Sequence, residues 1–315
     1  MSEYHLTVLL QQTVDALNVR ENGIYADCTG GGGGHSAEIL SRLGERGRLV
    51  VLDRDPDAVA VLRARFGGDP RVAVVHSEFG ALRSVLDSLG IGLVDGVVAD
   101  LGVSSHQLDD PARGFSYRYD APLDMRMDPG SGITAAQMLA EIDERTLTRI
   151  LFQYGEERYS KSIARAIIRA REKKPVETTF ELSEIVKSAV PAAARRAGQP
   201  ARKTFQAIRI ALNHELDTLE ESVNVMFDCL AVSGRLAIIT FHSLEDKVTK
   251  HCMTEFCRGC DCDPSAPICT CGKKPRARLV FRSVVPDEAE LETNNRARSA
   301  RLRAAEKIRM SVYDD

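Results

Sequence analysis

A chain of 315 residues is long enough for one large domain or for a domain interrupted by a sizeable insertion. Its 42 basic and 45 acidic residues leave a net charge of −3, which excludes a protein that coats nucleic acid by bulk charge. No apolar run approaches the roughly 20 residues of a membrane span, so no membrane partner is expected. The opening Met1-Ser2-Glu3-Tyr4-His5 lacks a basic segment followed by an apolar one. A cytoplasmic location follows as the expectation, with the eight cysteines reduced rather than paired in a disulfide framework.

The first apolar-acidic run, Ile24-Tyr25-Ala26-Asp27, breaks into five glycines, Gly30 to Gly34, and enters the helical pattern His35-Ser36-Ala37-Glu38-Ile39-Leu40. A strand, a side-chain-free turn and a helix N-terminus with unpaired N–H groups make a shelf onto which a nucleotide-like ligand can press. The next run, Leu49-Val50-Val51-Leu52, ends in Asp53. A carboxylate about 20 residues beyond the glycines is where such βαβ units grip a ribose diol. Strand patterns at 72–76 and 94–100 then alternate with helical ones at 56–66 and 80–89. This rhythm predicts a parallel sheet covered by helices on both faces.

The rhythm stops near residue 109. Up to residue 202 no strand pattern stands out, while helical patterns at 135–140, 144–152, 159–173 and 180–189 are punctuated by prolines. A long helix is predicted near 204–230, and strand patterns return at 235–240, 278–284 and 299–305. The last two are close enough in sequence to pair antiparallel at a sheet edge. The predicted fold class is α/β: a class I, Rossmann-like methyltransferase sheet, mostly parallel with an antiparallel C-terminal strand, plus an inserted helical domain. Residues 1–108 and 204–315 are assigned to the sheet domain and 109–203 to the insertion.

Gly32-Gly33-Gly34-His35-Ser36-Ala37 satisfies the Gly-x-Gly-x-x-Ala variant of the dinucleotide fingerprint, so the loop alone does not choose between cofactors. Asp27 does: it would repel a pyrophosphate but suits the ammonium and sulfonium of S-adenosylmethionine. Phe79, past the third strand, is placed either to stack on an adenine or to pack in the core. Asp100 closes the fourth strand and should face the same crevice as Gly33 and Asp53, where it can accept a hydrogen bond from a substrate amine. His35, His106 and His242 each sit near a strand end, and none is assigned general-base work.

Cys257-x2-Cys260-x-Cys262 and Cys269-x-Cys271 bring five thiols into one short loop. Four could bind a tetrahedral zinc, but the Cys-x-Cys spacing departs from the usual two-residue knuckle. A reduced loop and a redox-labile one stay open beside that reading, and no metal ligand is assigned. Basic runs at 158–174, at Arg195, Arg196, Arg202 and Lys203, and from Lys273 to Arg309 offer a local phosphate-binding surface on a near-neutral chain.

Long motifs follow one another in order: His5-x2-Val8-Leu9-Leu10, the loop 29–36, Asp100-Leu101-Gly102-Val103-Ser104-Ser105-His106-Gln107-Leu108-Asp109, and Arg113-Gly114-Phe115-Ser116. Then come Pro122-Leu123-Asp124-Met125-Arg126-Met127-Asp128, Tyr154-Gly155-Glu156-Glu157-Arg158, Thr204-Phe205-Gln206-Ala207-Ile208-Arg209-Ile210 and Phe241-His242-Ser243-Leu244-Glu245-Asp246. Over nearly its full length the chain is similar to the bacterial 16S rRNA cytosine-N(4)-methyltransferases, the RsmH (formerly MraW) family. The resemblance implies S-adenosyl-L-methionine as methyl donor, held by Gly33, Gly34, His35, Asp53, Phe79, Asp100 and Gln107, with Asp100 also catalytic. It implies as substrate a cytosine in the decoding region of the 16S rRNA, met in an assembled or nearly assembled small ribosomal subunit. The inserted domain would help shape the RNA site, and a homodimer is left open.

Amino-methyltransferases of DNA commonly carry Asp/Asn-Pro-Pro-aromatic at the fourth strand. Here Leu101-Gly102-Val103 follows Asp100, so Phe115 or Tyr117 of the insertion are the candidates to hold the base. His242 and Glu245 are candidates to order a substrate loop, with a helix N-cap by Ser243 the competing role. The cysteine loop varies in the family and inherits no role.

Overall fold

The computed structural model describes residues 7–196, 198–263, 268 and 270–312; His5 and Cys269 lie outside them. Seven strands form one sheet: β1 (Ile24–Asp27), β2 (Arg48–Asp53), β3 (Val72–His76), β4 (Val94–Asp100), β5 (Leu230–Thr240), β6 (Ala277–Val284) and β7 (Arg301–Lys307). Their order is β3-β2-β1-β4-β5-β7-β6. Strands β1 to β5 pair in parallel, and β7 runs antiparallel to both β5 and β6. The predicted antiparallel pairing of the last two strands is present, with β7 inside the sheet and β6 at its edge. Runs such as Leu49-Val50-Val51-Leu52 and Val97-Val98-Ala99 are wholly buried, as a parallel sheet covered on both faces requires.

The chain divides into two compact units, Met1–Gly102 with Thr218–Asp315, and Val103–Asp217. The first carries the sheet and helices α1 (Leu10–Leu17), α2 (Gly34–Arg42), α3 (Pro56–Phe66) and α4 (Leu82–Ser88). The second is helical: α5 (Ser105–Asp109), α6 (Ala135–Glu141), α7 (Glu144–Gly155), α8 (Ser160–Arg171), α9 (Thr179–Ala189), α10 (Ala192–Arg196) and α11 (Ala201–Leu212). Helices α12 (Leu219–Asp228), α13 (Ser243–Phe256) and α14 (Glu288–Thr293) return to the first unit.

The single helix predicted near 204–230 is two helices. Asn213 ends α11: its amide donates to the carbonyls of Met125 (2.8 Å) and Arg209 (2.9 Å) and accepts from the Met127 N–H (2.8 Å). His214 then turns left-handed, with φ 52°. Helix α11 thus stays with the second unit, and the border falls after Asp217 instead of residue 203. Gly155 lets α7 and α11 touch, since a Cβ there would stand 2.7 Å from the Lys203 carbonyl. Leu147, Leu151, Ile163, Ile167, Leu182, Val186 and Ile208 fill that unit's core, each without measurable exposure. Its motif 113–116 is a folding device: Gly114 has φ 70° and its Cα lies against the Pro122 carbonyl, while the buried Arg113 donates to the carbonyls of Arg126 and Met127.

Most of the basic residues near the C-terminus are spoken for. Arg303 makes a two-pronged pair with Asp246 (2.7 and 2.9 Å), Arg235 and Arg278 share Glu306 (3.0 and 2.7 Å), and Arg276 pairs with Asp228. Lys307 is fully buried and donates to the carbonyls of Phe227, Asp228 and Leu230. These residues lace β6 and β7 to the sheet, so the tail is a poor candidate for RNA contact and the basic runs of the second unit remain. Among the described residues no helix is long and apolar enough to cross a membrane.

Candidate active site

Strands β2, β1 and β4 are neighbours, and each ends in an acid at the same edge of the sheet: Asp53, Asp27 and Asp100. The strand order reverses at β1/β4, and the crevice at such a switch point is where ligands bind in open α/β sheets. The glycine loop leaves β1 here and runs into α2. Gly33 is the N-cap of α2 with φ 79°, and Gly31 has φ 51°.

The loop glycines serve more than a ligand. A Cβ on Gly30 would meet Val51 at 2.5 Å, one on Gly33 would meet Phe66 at 2.7 Å, and one on Gly34 would overlap the Thr7 hydroxyl. Of these loop positions, Gly31 alone would hold a Cβ in open space, with its nearest neighbour, the Thr29 carbonyl, at 3.8 Å. Much of the run is therefore glycine so that the loop can press onto α3 and the N-terminal segment, a demand separate from that of any ligand.

Asp27 is buried and turned inward. Its carboxylate accepts from the Ser36 hydroxyl at 2.6 Å and the Thr29 N–H at 3.2 Å, pinning both ends of the loop. Burial pushes its pKa up to about 6, and the Asp53 charge adds to the rise. Asp53 accepts from the N–H groups of Gly31 and Asp55, both at 2.8 Å, and burial raises its pKa too. Each of its oxygens keeps a second lone pair, so a diol can still be received.

Asp100 is different. Its main-chain N–H donates to the Thr29 hydroxyl at 2.6 Å, but the buried Oδ1 of its side chain has no hydrogen-bonding partner among the described residues. Burial, reinforced by the charges of Asp27 and Glu245, holds its pKa well above the carboxylate range.

Glu245, offered by the sequence as a residue ordering a substrate loop, is the fourth acid of the crevice. It is 2 % exposed, accepts from the N–H groups of Phe241 (2.8 Å) and His242 (3.3 Å), and lies 3.7 Å from where a Cβ on Gly102 would stand. His242, not Ser243, is the N-cap of α13: its Nδ1 accepts from the Glu245 N–H, closing a capping box. The signal was available as an N-cap followed three residues later by Glu, with His in place of the usual Ser or Thr.

His35 is buried with Nε2 on the Val8 carbonyl (3.2 Å), and burial lowers its pKa to about 4, so only its main chain is available to a ligand. Phe79 opens a short 3-10 turn beyond β3 and is half-buried. Gln107, in the second unit, is buried and spends its side chain on a capping box with Ser104. Phe115 is buried in that unit's core, which removes it as a base-stacking candidate; Tyr117 packs edge-on against Phe205, centroids 5.5 Å apart. Cys28 is buried, and its raised pKa keeps it a thiol.

Four acids line this crevice: Asp53 raises the pKa of Asp27, and Asp27 and Glu245 raise that of Asp100, an array hostile to a pyrophosphate. They fit a nucleoside with a cationic arm: the charge would relieve the acids, and the partnerless Asp100 oxygen would gain a donor.

A family model described as the MraW methylase family matches residues 2–308. A protein of Brevibacillus brevis named ribosomal RNA small subunit methyltransferase H is 49 % identical over 311 residues, covering 98 % of this chain and 99 % of that one. A protein of the same name from Symbiobacterium thermophilum is 50 % identical over 312 residues, 98 % of each chain. Among solved structures, an rRNA methylase from Streptococcus thermophilus aligns with 97 % of this chain and 100 % of its own at 11 % identity and a TM-score of 0.41, a likeness too loose to add to the sheet order above.

Proposed function

This chain belongs to the MraW methylase family, and on that premise we propose that it methylates N4 of a cytosine in the decoding region of 16S rRNA, within a small ribosomal subunit. It is an S-adenosylmethionine-dependent rRNA methyltransferase, and its work lies in the cytoplasm, where that substrate is. The observation that carries the reading is the buried, partnerless Asp100 oxygen among three further acids at the mouth of the glycine loop.

S-adenosylmethionine, when bound, supplies an electrophilic methyl group. Asp53 would receive the ribose hydroxyls, the main chain of Gly33, Gly34 and His35 would line the approach, and Phe79 would complete the contacts within the sheet unit. Asp100 accepts a hydrogen bond from the target amino group, keeping its nitrogen lone pair aimed at the methyl. No covalent help is needed, so these residues act by positioning and by excluding water. A base inside a helix cannot reach the crevice and must be unstacked. The helical unit, Val103–Asp217, provides the surface that recognises the RNA, and the sheet unit holds the donor.

Incubation with donor labelled in its methyl group and unmethylated small subunits, followed by nucleoside analysis, tests this. Label is expected in N4-methylcytidine, with assembled subunits outpacing free 16S rRNA. Label on a ring carbon or a ribose would overturn the assignment.

Arg195, Arg196 and Arg202 are exposed in the second unit. Replacing all three with Ala is expected to weaken subunit binding and reduce the slope of log K against log salt by about 2, at roughly 0.7 per phosphate contact on single strands. Filter binding across a salt series reads both. An unchanged slope would remove this face from the interface.

A further inference from the structure

Helix α13 ends at Phe256, and β6 begins at Ala277. In the segment joining them, the sulfurs of Cys260, Cys262 and Cys271 all lie within 4.8 Å of one another. Those of Cys260 and Cys271 are 3.6 Å apart. That is well beyond the ~2.05 Å of a disulfide and close to the ~3.8 Å edge of a tetrahedron built on ~2.3 Å zinc–sulfur bonds.

The main chain is wrapped around the sulfurs. The Cys262 N–H points at the Cys260 Sγ (3.3 Å), and the Thr270 N–H points at the Cys262 Sγ (3.4 Å). Gly272, directly after Cys271, turns left-handed with φ 66°. An ion pair between Lys273 and Asp261 ties the two arms together. Lys273 and Arg258 both act on Asp261 electrostatically and lower its pKa.

Packing does not account for these three cysteines. Cys28, Cys229 and Cys252 are buried as small hydrophobes, whereas Cys260 is exposed and Cys262 and Cys271 are half-buried. Three converging surface thiols without a core to join have one common chemical use.

We infer that Cys260, Cys262 and Cys271 bind one thiophilic divalent ion of the zinc class as thiolates, pinning the segment between α13 and β6. Each thiol releases its proton to solvent on binding. The all-sulfur donor set selects a soft metal over calcium or magnesium. The fourth position of the tetrahedron belongs to a ligand outside this trio. The site is structural: α13 has 14 residues with His242 and Glu245 at its start, so the thiols lie about 20 Å along that helix from the crevice acids. Cys257 is excluded, because the sulfurs that cluster are those of Cys260, Cys262 and Cys271.

The test uses the full chain, purified under reducing conditions without chelator or a histidine tag. Elemental analysis is expected to find one zinc per chain. Cobalt titration of the stripped protein should give thiolate-to-cobalt charge-transfer bands in the near ultraviolet. C260S, C262S and C271S should each lower zinc affinity at least ~100-fold, while C257S binds as the wild type does. Far-ultraviolet circular dichroism and S-adenosylmethionine calorimetry check that the variants fold. If they do not, the wild-type cobalt spectrum decides alone. A reduced chain with no zinc and no cobalt–thiolate band overturns the inference, as does full metal binding by the triple variant or a Cys260–Cys271 disulfide that persists under reductant.

Discussion

Asp100→Asn is expected to cut methyl transfer by about a thousandfold while raising the melting temperature of the ligand-free protein. The loss follows because an amide has no negative charge to draw on the amino group and can turn its own NH2, a donor, toward it. The gain follows because Asp100 is a buried acid with a partnerless oxygen, repelled by Asp27 and Glu245. Each pKa unit by which burial and those neighbours raise the group costs about 1.4 kcal/mol at a pH above it, which amounts to a few degrees in a unit of this size.

The effect has a pH signature. The folded-state pKa of Asp100 is raised, so the wild-type residue favours folding most below the ~4 of an unfolded aspartate. That contribution disappears as pH climbs through the folded value. An amide does not titrate, so the variant's advantage is expected to be larger near pH ~8 than near pH ~4. Calorimetric melts at both values and a single-turnover methylation assay check the pair of outcomes. Normal turnover with normal donor affinity would strip Asp100 of its role, and a variant less stable at high pH would refute the crowding of acids.

The second large effect is at Gly33. Its φ of 79° disfavours any other residue, and a Cβ would press Phe66 at 2.7 Å and Leu62 at 3.2 Å. Strain of about 1 kcal/mol adds to about 1–3 kcal/mol for moving a packed ring. Gly33→Ala is therefore expected to lose about 2–4 kcal/mol in chemical denaturation and at least tenfold in donor affinity, because shifting the loop disturbs the Gly31 N–H to Asp53 bond. Gly31→Ala meets the strain without the clash and should lose only about 1 kcal/mol. Equal losses at the two positions would mean that packing on α3 is not what demands glycine at Gly33.

What the sequence disclosed follows from how local each signal is. Asp27, Asp53 and Asp100 were legible because each closes an apolar run, and parallel strands bring their ends to one edge whatever the intervening helices do. Helix α3 was legible end to end, with Pro56 at its start and Val59, Leu62 and Phe66 on its buried face. The partners of the glycines were not, since Thr7, Val51 and Phe66 meet the loop only in the folded chain. The break at Asn213 was hidden because the apolar period continues through it while the cause lies in Met125 and Met127, far back in sequence. The tail arginines look like a free basic run until register sets Arg278 opposite Glu306.

The position of β7 has a consequence for synthesis. β5 is completed at Thr240, but the strand that covers its outer side begins at Arg301, 61 residues later. A ribosome therefore releases nearly the whole chain before that row of N–H and C=O groups can be satisfied, a condition that invites pairing with a neighbouring nascent chain. Holding such an intermediate apart is a task for chaperones, and shortening the protein by its last strand should yield inclusion bodies rather than a smaller enzyme.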